Sequence, residues 1–231
     1  MQFKEASYMK LSQMFDNAPD IEIGGLCIDS RKVKKNDMYF CMEGMVHDGH
    51  EFIDEVIDKG AVCIVHTKPV ENTRKGVAYI KVENVNNTLN ILASKFYGYP
   101  SRKLKVFGVT GTNGKSTITS IIKDVYSHFE PCGYIGTISI SYGDVVLPPS
   151  LTTPDAILIH KTLKDMLDAK MKAVALEVSS HGLELGRVQS VDFDVAIFSN
   201  LTYDHLDFHG TIENYFEAKK KLFTNLKPEY G

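Results

Sequence analysis

The sequence has no apolar run close to the roughly 18 to 20 residues that a transmembrane helix requires, so we expect no membrane partner. Its N-terminal stretch, MQFKEASYMKLSQMF, is charged and periodic, unlike a signal peptide. The net charge is only −3, which gives no electrostatic reason to expect a nucleic acid partner. No CxxC spacing occurs among Cys27, Cys41, Cys63 and Cys132. Three of them sit in apolar, strand-like runs, which predicts buried, reduced thiols in a cytoplasmic protein.

The chain has 231 residues, 43% hydrophobic and 24% charged, as is ordinary for a globular protein of one large or two modest domains. Gly98 and Pro100 interrupt the periodicity near the middle. We therefore predict a domain over 1–98, a linker over 99–104 and a second domain over 105–231. Short strands (LCIDS, DMYFCME, AVCIVH, VAYIKV) and two helices (GHEFIDEVIDKG, NVNNTLNILASKFYGY) make the first a small mixed α/β domain, with Gly60 ending the first helix.

The second block alternates strands and helices more strictly. The predicted strands are KVFGV, CGYIGTISI, AVALEVSS and DVAIFSNL, and the helices are KSTITSIIKDVYSHF, DAILIHKTLKDMLDAK and TIENYFEAKKKLFTNL. Continuous apolar strands indicate a parallel sheet covered on both faces. Nucleotide-binding sheets of this type usually have more than four strands, so we expect the front part of a longer domain, incomplete at its C-terminal end.

The stretch VFGVTGTNGKST has the pattern of a phosphate site, a strand that runs into a glycine-rich loop and then a helix. Gly114, Lys115 and Ser116 match the end of the phosphate-loop pattern, but Val109 stands where the strict pattern has glycine. Lys115 can nevertheless reach the β- and γ-phosphates, and Ser116 can bind Mg²⁺. The alternative is an ordinary glycine-rich turn. We predict a phosphate site made of Gly111, Thr112, Asn113, Gly114, Lys115, Ser116 and Thr117.

Five segments, in order and at family spacing, resemble the Mur ligase family. They are DSRKVKKNDMYFCMEG, GVTGTNGKST, TTPD, LEVSSHGLELGRV and FSNLTYDHLDFHGTIENYFEAKKKLF, between Asp29 and Phe223. The similarity is closest to the members that add a third amino acid to a UDP-sugar dipeptide. It implies a uridine-binding domain followed by an incomplete P-loop-type, parallel-sheet ATPase domain. The family's amino-acid-binding C-terminal domain is not among these residues, so we expect the isolated chain to be inactive.

The activity that the resemblance implies is ATP-dependent amide ligation in peptidoglycan synthesis. ATP, with Mg²⁺, phosphorylates the free carboxylate of UDP-N-acetylmuramoyl-L-alanyl-D-glutamate, and the amine of an amino acid then displaces phosphate from the acyl phosphate. Whether that amino acid is diaminopimelate, lysine or another stays open at this point. The P-loop residues are assigned to ATP.

The resemblance also implies a metal site. Glu177 ends the strand AVALEVSS, where a carboxylate can hold Mg²⁺, although a strand-end glutamate can also simply face solvent. The resemblance makes Glu177 a metal ligand, with Ser116, His205 and Lys219. A zinc pair of His205 and His209 is the alternative. Because Gly210 follows at once, with no glutamate between the histidines, we predict a loop into a helix capped near Thr211, and a structural or surface His209.

Lys219 lies four residues after Tyr215, on the inward row of its predicted helix, whereas Lys220 and Lys221 are expected on a solvated face. In the family the matching lysine, fourteen residues after the histidine, is carbamylated. The resulting anion would bind Mg²⁺ and orient the γ-phosphate. The implied catalytic residues are Lys115, Lys219 and His205.

The resemblance places the uridine of the UDP-sugar against Ser30, Met45, Val46 and His47. Another set would hold the diphosphate and sugar, namely Thr152, Thr153, Ser179 and Arg187. Hydroxyls and an arginine suit a diphosphate. We expect Thr153 also to cap the helix that follows Pro154.

Two other functions are alternatives. A folylpolyglutamate synthetase-like ligase shares the loop, but it lacks a uridine-binding first domain, so DSRKVKKNDMYFCMEG argues against it. A nucleotide-binding or regulatory module without catalysis is the alternative from another class.

Overall fold

The computed structural model describes residues 8–44 and 47–227, and the chain divides into two compact units, Met1–Phe96 and Tyr97–Gly231. The stretch 99–104 belongs to the second unit and contains a 3₁₀ turn at Pro100–Lys103. The functional division into 1–98, 99–104 and 105–231 stays a prediction.

The first unit is built on a four-stranded parallel sheet, with a two-stranded antiparallel pair beside it in the sequence. The pair is β1 (Met9–Lys10) and β2 (Glu22–Ile23), and the sheet follows chain order as β3 (Gly25–Cys27), β4 (Asp37–Phe40), β5 (Cys63–His66) and β6 (Ala78–Lys81). The helices are α1 (Leu11–Met14), α2 (Ile53–Asp58) and α3 (Val85–Phe96). All four predicted strands and both predicted helices are confirmed, which makes this unit mixed α/β.

Gly60 ends α2 as predicted. Its φ is +106°, and its amide donates to the carbonyl of Ile57 at 2.9 Å, which is how a glycine in the left-handed region satisfies a helix end. A β-carbon at this position would lie 2.9 Å from the Cα of Lys35, so the close approach of the preceding loop also requires glycine.

The second unit carries a six-stranded mixed sheet in the order β10-β9-β8-β11-β7-β12. The strands are β7 (Lys105–Thr110), β8 (Cys132–Ile135), β9 (Ile140–Tyr142), β10 (Val145–Leu147), β11 (Ala173–Glu177) and β12 (Val195–Phe198). The helices are α4 (Lys115–Tyr126), α5 (Ala156–Asp168), α6 (Ser180–Glu184), α7 (Leu206–His209) and α8 (Ile212–Lys220).

The prediction of one strand over CGYIGTISI was wrong. The chain turns back between Gly136 and Ser139, so β9 pairs antiparallel with β8, and β10 pairs antiparallel with β9. Only β8, β11, β7 and β12 form the predicted parallel sheet, and the β9–β10 hairpin extends its edge. The apolar run concealed the turn because β8 is buried throughout and β9 begins with the buried Ile140.

The core of the second unit lies between the central strands and α5. It includes Val106 on β7, Val174 on β11 and Ile159 on α5, each without solvent exposure. This packing fixes the carboxyl ends of β7 and β11 side by side, with Val109 opposite Glu177 in the register. The loops that follow these two strands therefore meet at one edge of the sheet.

All four cysteines are buried free thiols, as predicted. Burial raises the pKa of the thiols of Cys41 and Cys63 to about 12, which keeps them protonated and unreactive. Among residues 8–44 and 47–227, no helix is long and apolar enough to cross a membrane.

His160 is a polar residue buried in the second unit. It lies on α5 with no solvent exposure, and within the described part of the chain neither ring nitrogen has a hydrogen-bond partner. Burial lowers the pKa of this imidazole to about 4. The folded protein therefore holds His160 neutral. In the unfolded chain the same imidazole has the ordinary histidine pKa of about 6.5 and is protonated below that pH.

We expect this imidazole to make the second unit acid-labile. Because the folded pKa lies below the unfolded value, the free energy of unfolding falls as pH drops from about 6.5 towards 4. Between pH 7.5 and 4.5 the loss from this group is roughly 2 to 3 kcal/mol. Urea unfolding of wild type and His160→Leu at both pH values measures it, with the exposed His128→Leu as control. An equal loss of stability in wild type and His160→Leu would contradict the expectation.

Candidate functional site

The phosphate-loop segment begins where β7 ends at Thr110 and finishes where α4 begins at Lys115. Val109, which breaks the strict sequence pattern, is a buried residue of β7 and not part of the loop. Gly111 has φ +146°, and a β-carbon there would lie 1.9 Å from Ser199 Oγ. Gly114 is left-handed, with φ +83°. Both glycines are therefore required by geometry, as the sequence predicts.

The segment after β12 holds the loop from one side. The Thr112 amide donates to the Asn200 carbonyl at 2.9 Å, and the Asn113 amide donates to Asn200 Oδ1 at 3.0 Å. Ser199 Oγ donates to the Asn113 carbonyl at 2.7 Å. Two loop amides are thus already paired. The amides of the first turn of α4, which have no acceptor within their own helix, are the ones suited to phosphate; Ser116 and the exposed Thr117 lie in that turn.

Two lysines converge on one carbonyl of the loop. Lys115 Nζ donates to the Gly111 carbonyl at 3.0 Å and to the Thr112 carbonyl at 2.8 Å. Lys219 Nζ, from α8, donates to the same Gly111 carbonyl at 2.7 Å. Burial, and then the charge of Lys115, lowers the pKa of Lys219 to about 7. Burial also lowers the pKa of Lys115. Two neighbouring ammonium groups favour a multiply charged anion between them.

Tyr215 holds Lys219 in place. The Lys219 ammonium lies 4.2 Å from the centre of the Tyr215 ring, and the Tyr215 hydroxyl donates to Thr112 Oγ1 at 3.2 Å. Lys219 is only 1% exposed, so the inward position predicted from its spacing to Tyr215 is confirmed. Lys220 and Lys221 are exposed, also as predicted. The negative charge of Asp204 partly opposes the lowering of the pKa of both Lys115 and Lys219, a role the sequence did not reveal.

Glu177 is fully buried and accepts four hydrogen bonds. Oε1 accepts a short bond from the Tyr134 hydroxyl and one from the Thr137 amide at 3.0 Å. Oε2 accepts from Ser116 Oγ at 2.9 Å and from Thr137 Oγ1 at 3.0 Å. The solvent-facing alternative for Glu177 is therefore wrong. Burial, followed by the bond to Glu177, raises the pKa of Tyr134, so the phenol stays protonated and donates.

Gly136 makes this arrangement possible, because a β-carbon at that position would lie 2.2 Å from Glu177 Oε1. Tyr134 and Thr137 were missed by the sequence analysis. The turn that presents Thr137 was hidden inside a segment interpreted as one strand.

The oxygen atoms of Ser116 and Glu177 are suitable ligands for Mg²⁺. Ser116 Oγ and Glu177 Oε2 lie 2.9 Å apart at the start of α4, and a hydroxyl beside a carboxylate is the oxygen chemistry that Mg²⁺ prefers. No group of three or more His, Cys, Asp or Glu side chains with metal-site geometry occurs in residues 8–44 and 47–227. A cation here would complete its coordination with water or with oxygens of a bound ligand, as is usual for Mg²⁺ on nucleotide phosphates.

The two histidines of the segment DHLDFHG, His205 and His209, lie in different environments. His205 has φ +51° and precedes α7, and its ring lies 6.0 Å from that of Tyr215. His209 is 8% exposed and shares a 3.0 Å hydrogen bond with Ser180 Oγ, which confirms it as a structural residue. The ring of His181 lies 4.9 Å from that of His205. Thr211 caps α8 by accepting from the Asn214 amide at 3.2 Å, as predicted, although the preceding loop contains the one-turn α7.

Thr153 does not cap α5, so that part of the prediction was wrong. Asp155 is the cap residue and accepts from the Leu158 amide at 3.0 Å. Thr153 Oγ1 instead donates to the Glu177 carbonyl at 3.0 Å and accepts from the Ser179 amide at 2.9 Å. It thereby ties the segment before α5 to the end of β11.

The other residues predicted to bind the UDP-sugar diphosphate gather near Thr153. Arg187 Nη1 donates to the Thr153 carbonyl at 2.9 Å, and Ser179 caps α6. The Thr152 hydroxyl lies 3.3 Å from Thr137 Oγ1, within hydrogen-bond distance. Thr152, Thr153, Ser179 and Arg187 therefore form one cluster, linked to the Glu177 site through Thr137 and Thr153.

The predicted uridine residues belong to the first unit. Ser30 is 9% exposed and starts a 3₁₀ turn whose preceding Asp29 accepts from the Arg31 side chain, which lowers the pKa of Asp29 to about 2. His47 is exposed, with its ring 6.2 Å from that of Phe52. Met45 and Val46 lie outside the described residues.

The comparisons with known proteins agree with one another. A family profile described as "Mur ligase middle domain" matches residues 109–230, and one described as "Mur ligase family, catalytic domain" matches residues 22–97. The chain is 46% identical over 208 residues to a UDP-N-acetylmuramoyl-L-alanyl-D-glutamate–2,6-diaminopimelate ligase of Fusobacterium nucleatum, covering 90% of this chain and 42% of that protein. It is equally identical over 209 residues to the ligase of the same name from Clostridium tetani, covering 89% and 43%.

A solved structure of a ligase with that name superposes with a TM-score of 0.80 at 27% identity, covering 95% of this chain and 46% of the other. This chain thus spans less than half the length of the relatives that it matches.

Proposed function

This chain belongs to the Mur ligase family, and we propose that it carries the ATP site and the UDP-sugar site of an ATP-dependent amide ligase. The substrate would be UDP-N-acetylmuramoyl-L-alanyl-D-glutamate. The names of its relatives support 2,6-diaminopimelate as the amino acid that is added. The buried free cysteines and the sequence composition support a cytoplasmic location.

One observation carries the nucleotide assignment. Lys115 and Lys219 both donate to the Gly111 carbonyl, beside the Ser116–Glu177 pair, at the carboxyl edge of parallel strands β7 and β11. Polyphosphate is the ligand that suits the Lys115 cation, a set of helix N-terminal amides and an adjacent oxygen site for a divalent cation at once, and a second ion held by Lys219 as a carbamate would add to that charge.

The chemistry that we propose has two steps. A carboxylate oxygen of the substrate attacks the γ-phosphorus of ATP, so an O–P bond forms and ADP leaves. The amine of the amino acid then attacks the acyl carbon, and phosphate leaves as the amine loses a proton. Lys115 would turn from the loop carbonyls to the transferring phosphoryl group and offset its charge.

Ser116 and Glu177 would hold Mg²⁺, with His205 and a carbamylated Lys219 as ligands of a second ion. The metal supplies charge stabilisation to the phosphates. Carbamylation needs a neutral amine, and the burial of Lys219 that lowers its pKa to about 7 favours that form. The cluster of Thr152, Thr153, Ser179 and Arg187 would hold the diphosphate and sugar, and Ser30, with Met45, Val46 and His47, the uridine.

Calorimetry on residues 1–231 tests both sites. We expect one equivalent of ADP to bind in the presence of Mg²⁺. We also expect one equivalent of UDP-N-acetylmuramoyl-L-alanyl-D-glutamate to bind, with the same affinity whether or not tetrahydrofolate is present. Arg187→Ala should weaken the UDP-substrate and spare ADP, whereas the exposed Arg102→Ala should change neither. Tetrahydrofolate binding without UDP-substrate binding would support the folylpolyglutamate synthetase-like alternative instead, and no binding of ADP would remove the nucleotide assignment.

A further inference from the structure

The hydroxyl of Thr137 lies between the two sites proposed above. It is 3.0 Å from Glu177 Oε2, in the proposed metal site, and 3.3 Å from Thr152 Oγ1, in the proposed diphosphate cluster. A threonine hydroxyl has a single proton, so it donates to one of these acceptors at a time. Thr137 is exposed, on the turn between β8 and β9, where its side chain has room to rotate.

The carboxylate of Glu177 is saturated by its protein donors. A carboxylate offers about four lone-pair sites, and Tyr134, Ser116 and the two donors of Thr137 use four. Oε1 is held by the buried Tyr134 and by a backbone amide. When Oε2 serves as a cation ligand, one of its two hydroxyl donors must therefore turn away.

Thr137 is the donor that can leave. Ser116 Oγ retains lone pairs for the same cation while its proton stays on Glu177. The Thr137 hydroxyl has a second acceptor at hand in Thr152. While no cation is bound to Oε2, the hydrogen bond from Thr137 to the Glu177 carboxylate is stronger than the one to Thr152, because the carboxylate is charged.

We propose that Thr137 is a positioning residue that couples the two sites, donating to Glu177 when the metal–nucleotide site is empty and to Thr152 when it is filled. In the second state Thr152 accepts from Thr137, so its own proton is left to donate to a diphosphate oxygen. Binding of the nucleotide with its metal thus prepares Thr152 for the UDP-substrate. By linkage the UDP-substrate must tighten nucleotide binding by the same factor. The inference rests on the proposed function.

Calorimetry on residues 1–231 measures the coupling. The affinity for UDP-N-acetylmuramoyl-L-alanyl-D-glutamate is determined without nucleotide, with ADP and Mg²⁺, and with ADP and a chelator. For wild type we expect ADP with Mg²⁺ to raise this affinity roughly 5-fold or more, a usual size for coupled sites. Without Mg²⁺ the ratio should fall to about one, because Oε2 keeps its bond to Thr137.

Thr137→Val removes the hydroxyl, keeps the side-chain volume and retains the backbone amide that donates to Glu177. We expect this variant to bind each ligand alone but to lose the coupling, and Thr137→Ser to retain it. A role in packing alone would not separate these two variants in this way.

Wild-type coupling in Thr137→Val, or coupling that persists without Mg²⁺, would overturn the role of Thr137 while leaving the proposed function standing. Binding of neither ligand to the wild type would overturn both.

Discussion

Lys115→Ala is expected to weaken the binding of ADP with Mg²⁺ roughly 10- to 100-fold, because a hydrogen bond from a charged group contributes about 1.5 to 3 kcal/mol. ATP-dependent phosphate release by a protein that carries this chain should be abolished. Lys115 lies half-buried at the start of α4, with its ammonium on the Gly111 and Thr112 carbonyls. It places a cation beside the first turn of α4, whose amides would bind phosphate.

Lys123 is the matched control. It lies on the same helix, two turns further on, and pairs with the neighbouring Asp124 at 3.0 Å. Lys123→Ala should bind ADP as the wild type does. Circular dichroism and urea unfolding check that both variants fold. Wild-type nucleotide affinity and turnover in a folded Lys115→Ala variant would remove the phosphate-loop assignment.

Lys219→Ala should lose roughly 100-fold or more of the ATP-dependent activity, the usual cost of removing one preorganised charge from a phosphoryl-transfer site. Part of that loss should return with short carboxylic acids, which can take the place of a carbamate. The side chain occupies a buried position between the Tyr215 ring and the Gly111 carbonyl, so a small acid has a defined space to enter.

The carbamate itself has a direct readout. In ¹³C-bicarbonate, wild type should show a carbamate signal by NMR that Lys219→Ala lacks. Lys220→Ala is the control, because Lys220 is exposed and pairs with Glu217 at 3.1 Å. A bare amine at Lys219 in bicarbonate, together with no rescue by carboxylic acids, would show that Lys219 acts as an ammonium ion.

The pattern of residues near each other in the chain predicted the local parts of the site. A strand followed by Gly111, Gly114 and Lys115 predicts the phosphate loop, because both glycines have the positive φ angles that such a local turn requires. The inward position of Lys219 also followed from helical spacing to Tyr215.

The contacts among distant segments could not be predicted in this way. Nothing in the spacing of the sequence shows that Asn200 occupies two loop amides. The same holds for the cap of α5, where Thr153 was the expected residue and is instead bonded to the end of β11. The Thr153 hydroxyl bonds to the partners that the fold presents, which compete with the helix amides nearby in the sequence.

The sequence by itself determined the longer helices and the parallel strands, because helix and strand periodicities, glycines and caps act over a few residues. It also determined that a loop suited to phosphate lies between β7 and α4. Only the tertiary structure decided that Lys115 and Lys219, far apart in the chain, share the Gly111 carbonyl, and that Thr137 turns towards Glu177. The reason is physical: these contacts depend on the packing of strands β7, β8 and β11 side by side, which buries the carboxylate and requires that its lone pairs be satisfied.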